Sequence, residues 1–226
     1  MMEEAIRILK IMIGNNTSVT RREIVEKADQ VLRMEAYKSI DRNQLIREIE
    51  SSYNVRSEDY RIIESEERKL RWLNEKKSSI NWDFWSRYRQ YLQDEKNFPP
   101  DTINKLDTLT NDILDRFFDP TLKIQIDKRG MAVGQVQSGK TSNYTGLICK
   151  AADAGFRFVI VLAGIHKNLR SQTQLRLDEG FLGFDTQHTR SFNQNRLKIG
   201  VGTMNQNCVA HSLTNSLDNG DFTKGG

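Results

Sequence analysis

The sequence predicts an α/β fold, with a lobe built on a parallel sheet in the C-terminal half and a mainly helical region before it. Three observations carry that reading. Up to Pro120, apolar residues recur at intervals of three and four, the period of a helix with one buried face. After Pro120 they gather into short β-branched runs that alternate with helical stretches, the pattern of βαβ units. Between the first such run and the helix after it stands the glycine-rich octapeptide "GQVQSGKT", residues 134–141.

Residues 1–52 read as three short helices. "EEAIRILKIMI" has helical apolar spacing. Thr20 is expected to cap "RREIVEKADQVLRM", whose Ile24, Val25, Ala28, Val31 and Leu32 share a face. Asp41 opens "RNQLIREIES", with Leu45, Ile46 and Ile49 as its stripe. "YRIIE" (60–64) and "KLRWL" (69–73) could pair as a hairpin. Three helices and a hairpin follow the order of a winged helix, with Arg42 and Arg47 pointing outward toward DNA. A helical accessory module is the plainer alternative. We draw the domains as 1–77 for this accessory region, 78–122 for a helical connector and 123–226 for the sheet-bearing lobe.

The connector holds two helices. "INWDFWSRYRQYLQDEKN" (80–97) stacks Trp82, Trp85, Tyr88 and Leu92, a spacing that signals core more readily than a base-stacking platform. The prolines at 99 and 100 break it. Asp101 is expected to cap the next helix, with Ile103, Leu106, Thr110, Ile113 and Phe117 inward and Pro120 at its end. In the lobe, "KIQIDKRGMAV" (123–133) contains an expected strand and "TSNYTGLICKAADAG" a helix closed by Gly155. "FRFVIVLAG" (156–164) reads as a strand buried on both faces, "HKNLRSQTQLRLDEG" as a helix and "RLKIGVGT" as a strand.

Composition narrows the function classes. The 226 residues are 37% apolar and 28% charged, with a mean hydropathy of −0.63, which points to an extended or two-part architecture. The longest apolar run, "FVIVLAGI", is too short to span a bilayer, and "MMEEAIRILK" has no signal-peptide pattern, so no membrane partner is expected. Cys149 and Cys208 are far apart and lack metal-ligand spacing, which indicates a reduced, cytoplasmic protein without a zinc site. His166, His188 and His211 are isolated. Residues 1–129 carry 24 Lys/Arg against 24 Asp/Glu, whereas residues 130–226 carry 10 against 6. The whole net charge of +4 therefore lies with the glycine-rich motif, a bias that suits polyanionic ligands.

"GQVQSGKT" fits G-x-x-x-x-G-K-[ST] at every fixed position. Gly134 and Gly139 permit dihedrals closed to other residues, so that the main-chain N–H groups of Gln135, Val136, Gln137 and Ser138 can converge on phosphate oxygens. A helix starting near Gly139 aims its positive end at the same anion. Lys140 would supply charge between the β- and γ-phosphates, and the Thr141 hydroxyl would bind magnesium. ATP and Mg2+ are the expected cofactors, with Lys140 and Thr141 as the catalytic pair.

Downstream, "FVIVLAGIHKNLRSQTQLRLDEGF" resembles motif Ia of superfamily-two helicases and translocases, in which an apolar strand runs into a segment of the form L-x-x-Q-x. "KIGVGTMNQ" (198–206) resembles the strand that follows it. The resemblance implies that Asn168, Arg170, Gln172 and Thr173 contact the backbone of a tracked DNA strand, as amide and hydroxyl groups do without reading sequence. Residues 80–205, and most specifically 131–183, are similar to the helicase-like ATPases that carry a Z-one domain, large bacterial proteins of restriction and phage-defence clusters. That likeness implies a partial RecA-like P-loop lobe acting on DNA, the phosphate loop at Gly134, Gln137, Ser138, Gly139, Lys140 and Thr141, and other defence-system proteins as candidate partners.

The sequence departs from that family in one respect. After Lys140 the acids are Asp153, Asp178, Glu179, Asp185, Asp218 and Asp221, and none follows an apolar strand as a Walker-B acid would. No paired carboxylates with lysine occur at nuclease spacing. The expectation is an N-terminal fragment cut before Walker B and the arginine finger, binding nucleotide without useful turnover. Three alternatives stay open: a GTPase reading through "NKLD" (104–107), a small-molecule kinase lacking its arginine-rich lid, and a non-catalytic DNA- or protein-docking module.

Overall fold

Helices α1 (Met2–Ile13), α2 (Arg21–Leu32) and α3 (Arg42–Tyr53) turn their apolar stripes inward on one another. Ala5, Leu9 and Ile13 meet Ile24, Ala28 and Val31 and then Leu45, Ile46 and Ile49, with Tyr37 from a short 3-10 turn closing one side. Burying each of the larger side chains contributes about 1.5–3 kcal/mol relative to leaving it in water. Asp41 caps α3 as expected, its Oδ1 accepting the Gln44 N–H at 2.7 Å. Arg42 and Arg47 are exposed, and Arg42 forks onto Asp29 at 2.6 and 3.0 Å. This computed structural model describes residues 1–14, 19, 21–53, 63, 71–123, 126–133, 140–164, 167–187, 197–204, 208–215 and 217. Thr20 and most of the expected hairpin, 60–62 and 64–70, lie outside them. Leu73 opens a short helix, α4 (Leu73–Lys76), so the C-terminal end of the second expected strand is helical. The three expected helices are present, and the hairpin on which the winged-helix expectation rests lies almost wholly outside the described residues.

A second core forms where α5 (Asp83–Asp94), α6 (Pro100–Leu114) and α7 (Lys140–Asp153) pack together. Trp85, Tyr88, Tyr91 and Leu92 of α5 are buried there with Ile103, Leu106, Thr110 and Leu114 of α6 and Cys149 of α7. The aromatic stripe is core, as its spacing implied. Leu114 takes the innermost place near the end of α6, and Ile113 and Phe117 are half-buried. Pro99 is the N-cap of α6 and Pro100 fills its first turn, where a missing N–H costs nothing, so Asp101 makes no cap.

Polar groups lock these helices together. The Asp153 carboxylate accepts the N–H groups of Phe84 and Trp85, both at 2.9 Å, and so caps α5 from the far end of α7. Asp115 does the same for α4 through Trp72 and Leu73. The Lys150 amine is fully buried. It donates to the Asp107 carbonyl and Oδ1, both at 2.7 Å, and to Asn111 Oδ1 at 2.6 Å, and lies 4.4 Å from the centre of the Trp85 ring. Burial lowers its pKa to about 8 against the pull of Asp107. Asp107, the last residue of "NKLD", is thus bound to Lys150. Lys10 joins the two cores by donating to the Lys96 carbonyl beneath the Phe98 ring.

The parallel sheet is absent: among the described residues the chain is mostly helical and contains no β-strand. Residues 156–164 take no regular secondary structure, and among the described residues no strand pairs with them. Phe158, Ile160 and Leu162 are 65%, 64% and 92% exposed, so the run expected to be buried on both faces is buried on neither. A strand exists only through lateral partners for its N–H and C=O groups, which local β-propensity cannot supply. Met131 and Val133, at the end of the first expected strand, are exposed as well. In the third, a single antiparallel bridge joins Phe184 and Lys198, and residues Gly200–Thr203 then turn into a 3-10 helix. The RecA-like lobe is therefore corrected to a helical arrangement. No helix among the described residues is long and apolar enough to cross a membrane.

After Gly155 ends α7 with φ +105°, α8 (Lys167–Leu177) runs into a π-helical turn, Asp178–Leu182. This turn and the residue after it meet the 3-10 turn at Gly200–Thr203 through closely approaching backbone, Glu179 against Gly200 and Gly183 against Gly202. A Cβ on Gly202 would lie 1.8 Å from the Gly183 carbonyl oxygen, whereas one on Gly130 would meet nothing within 4 Å. Gly202→Ala is expected to cost about 3 kcal/mol or more and Gly130→Ala less than about 0.5 kcal/mol. Urea unfolding of the two variants measures this, and equal midpoints would refute the close approach.

Burial raises the Asp153 carboxyl from 3.8 to about 6, although its two N–H donors favour the ionised form. The folded chain therefore takes up this proton at higher pH than the unfolded chain does. The resulting stabilisation is full below about pH 3.8 and is lost as pH rises through about 6. The stability advantage of wild type over Asp153→Asn is expected to widen as pH falls from 7 to 4. An advantage that stays constant over that range in denaturant titrations would show an unperturbed carboxylate.

Candidate functional site

α7 begins at Lys140, so the lysine and threonine of the octapeptide form the first turn of a 14-residue helix. The first amides of such a helix have no carbonyl partner within it and point toward whatever lies ahead of it. Gly134, Gln135, Val136, Gln137, Ser138 and Gly139 lie outside the described residues, and of Lys140 only the backbone position is described. The helix is held firmly from behind. Ile148, Cys149, Ala151 and Ala154 are buried, and a Cβ on Gly146 would lie 3.1 Å from the Trp85 ring.

Thr141 is half-buried, and its hydroxyl is already engaged. Arg176, one residue from the end of α8, donates from Nη1 to Thr141 Oγ1 at 2.7 Å. The rest of the Arg176 side chain is exposed. Motif matching could not have found this residue, because it lies 35 positions downstream on a different helix.

The four residues expected to grip a DNA strand do not act together. Asn168 and Gln172 are exposed on α8. The Thr173 hydroxyl donates to the Leu169 carbonyl at 2.8 Å, an intrahelical bond. Arg170 points the other way, donating to the carbonyls of Asn215 at 2.8 Å and Leu217 at 3.2 Å, and so fastens the segment 208–217 onto α8.

Beneath α8 is a polar network that the sequence reading missed. Asp178, fully buried, accepts from Gln174 Nε2 at 2.8 Å and from the Thr186 N–H and hydroxyl at 3.1 and 2.5 Å. Gln174 Oε1 in turn accepts from the Thr214 hydroxyl at 2.6 Å, and Ser212 donates to the Thr214 carbonyl at 2.7 Å. Burial moves the Asp178 carboxyl above the usual range despite these donors. The four-residue spacing of Gln174 and Asp178 was the one sequence signal available. Enclosed as it is, the network orders α8 and the 208–217 segment rather than meeting a substrate. Burial also pushes the Cys149 thiol far up, which removes it as a nucleophile. No cluster of three or more His, Cys, Asp or Glu suited to a metal occurs among the described residues.

The arrangement brings a hydroxyl and a guanidinium together at the first turn of a helix. That donor set is suited to an anion accompanied by a divalent cation. Arg170→Ala is expected to leave α8 folded but to loosen 208–217, raising the rate of thermolysin cleavage there several-fold. Cleavage at the wild-type rate would mean that Arg170 does not hold the segment. Family models, curated proteins and solved structures were compared with the chain, and none matches it.

Proposed function

We propose that this chain is the Mg·ATP-binding portion of a DNA-acting, helicase- or translocase-like ATPase, of the kind associated with restriction and anti-phage systems. The observation that carries the reading is the octapeptide Gly134–Thr141, which matches the phosphate-loop pattern at every fixed position and runs into the first turn of α7. Lys140 would neutralise the β- and γ-phosphates, and Thr141 would bind magnesium. The magnesium ion, when bound, would draw charge from the phosphate oxygens. The helix dipole and the cationic residues beside it favour the same polyanion. DNA is the proposed partner, through the exposed amides of Asn168 and Gln172 and the basic excess of residues 130–226. Cys149 and Cys208 are free, which suits the cytoplasm we assign to it. A protein-docking role is the second reading, supported by the exposed apolar run from Phe158 to Leu162.

The test is nucleotide binding by the 226-residue chain. Lys140→Ala is expected to weaken Mg·ATP binding at least about tenfold, the loss of one charge-assisted contact. GTP in place of ATP tests the guanine-reading alternative at 104–107. Equal affinities of wild type and Lys140→Ala for Mg·ATP would sink the proposal.

A further inference from the structure

We propose that residues 156–164 are the interface of a homodimer, in which the segment pairs with the same segment of a second copy of this chain as an antiparallel ribbon centred on Ile160. The proposal is independent of the nucleotide reading above. It supplies the lateral partner that the run does not find among the described residues of its own chain.

Two kinds of group stand open along the run. The first is side chain. Phe158, Val159, Ile160, Val161 and Leu162 are 65%, 42%, 64%, 40% and 92% exposed. These values alternate, as they do along a segment with one open face and one half-covered face. Adjacent apolar side chains at such exposures present on the order of 500 Å2, the size of the largest apolar patch on a typical monomer. Patches of that size mark docking surfaces. The second is backbone. Among the described residues, no backbone N–H or C=O of residues 157–164 makes a hydrogen bond. Lysine, proline and every charged residue are absent from Phe158 to Gly164, so nothing blunts the run against pairing with another strand.

The order of residues selects a second copy as the partner. Read outward from Ile160, the run is nearly symmetric, with Val159 mirrored by Val161 and Phe158 by Leu162. A two-fold axis at Ile160 sets Val159 opposite Val161, Phe158 opposite Leu162 and Ile160 opposite its own copy. Aromatic and β-branched pairs of this kind stabilise an antiparallel ladder. Arg157 falls opposite Ala163, so no like charges meet. Such a contact is closed, and assembly stops at two chains. Two copies together cover up to about 1,000 Å2 of side chain, and the paired backbone brings the total near the ~1,200 Å2 at which specific interfaces begin. An interface of that size suits a dimer that dissociates in the micromolar range.

The experiment is sedimentation equilibrium of the 226-residue chain from about 1 to about 100 μM, a range that brackets a micromolar dissociation constant. Wild type is expected to pass from monomer to dimer across it. Ile160→Lys and Ile160→Glu each set like charges across the axis, and each is expected to weaken the dimer at least about tenfold. Mixed in equal amounts, the two variants place lysine against glutamate, and a heterodimer is expected to form. That recovery would also show that both variants are folded. Met131→Lys, at an exposed apolar residue outside the run, is expected to dimerise as wild type does. A wild-type chain that stays monomeric throughout assigns the run to some other occupant and overturns the inference. Dimers that survive both substitutions at Ile160, variants that do not recover a dimer on mixing, assembly that grows past two chains, or loss of the dimer in Met131→Lys overturn it equally.

Discussion

Much of the second core depends on the burial of the Lys150 amine between α6 and the Trp85 ring. A lysine ammonium taken out of water is costly unless its donors are met, and here Asp107 and Asn111 supply three acceptors. Those acceptors lie one helical turn apart on α6, so α7 can dock in only one rotation and one register. Three residues further along α7, Asp153 closes the start of α5. Two polar side chains on a single helix thus set the positions of both its neighbours. The apolar contacts among Trp85, Leu106 and Cys149 fill in around them and supply most of the energy.

That constraint carries through to the site. Because α7 is fixed from behind, its first turn is presented rigidly, and Thr141 stands where the last turn of α8 can reach it. α8 is fixed in its own way. Asp178 and Gln174 anchor its C-terminal end, while glycine backbone packing between the turns at 178–182 and 200–203 leaves no room for adjustment. Arg176 is exposed, yet it projects from an element held on the opposite face.

The apolar run from Phe158 to Leu162 shows how far a strand-forming sequence depends on its surroundings. Its β-branched residues favour an extended backbone, yet the run takes no regular secondary structure. Pairing is a separate matter, since every second N–H and C=O needs a partner from another strand. The helices, by contrast, satisfy their hydrogen bonds within themselves and need only an apolar face to settle against. This difference explains why every helix read from the sequence is found within a few residues of its expected place, while among the described residues none of the expected strands is paired into a sheet.

Taken alone, the sequence determined the local features of this protein. These are the apolar stripes of α1 to α3, the Asp41 cap, the aromatic face of α5, the proline-led start of α6, the glycine end of α7 and the Gly-Lys-Thr start of that same helix. Each depends on residues within a turn or two of one another, and their physics is visible at short range. Only the tertiary structure decided which distant groups meet. Arg176 reaches Thr141 across 35 residues, Arg170 turns away from solvent to the carbonyls of Asn215 and Leu217, Lys150 finds Asp107, and the apolar segment at 156–164 has no strand beside it among the described residues. Those outcomes depend on how whole helices pack, and burial and charge settle them over the full fold rather than along the chain.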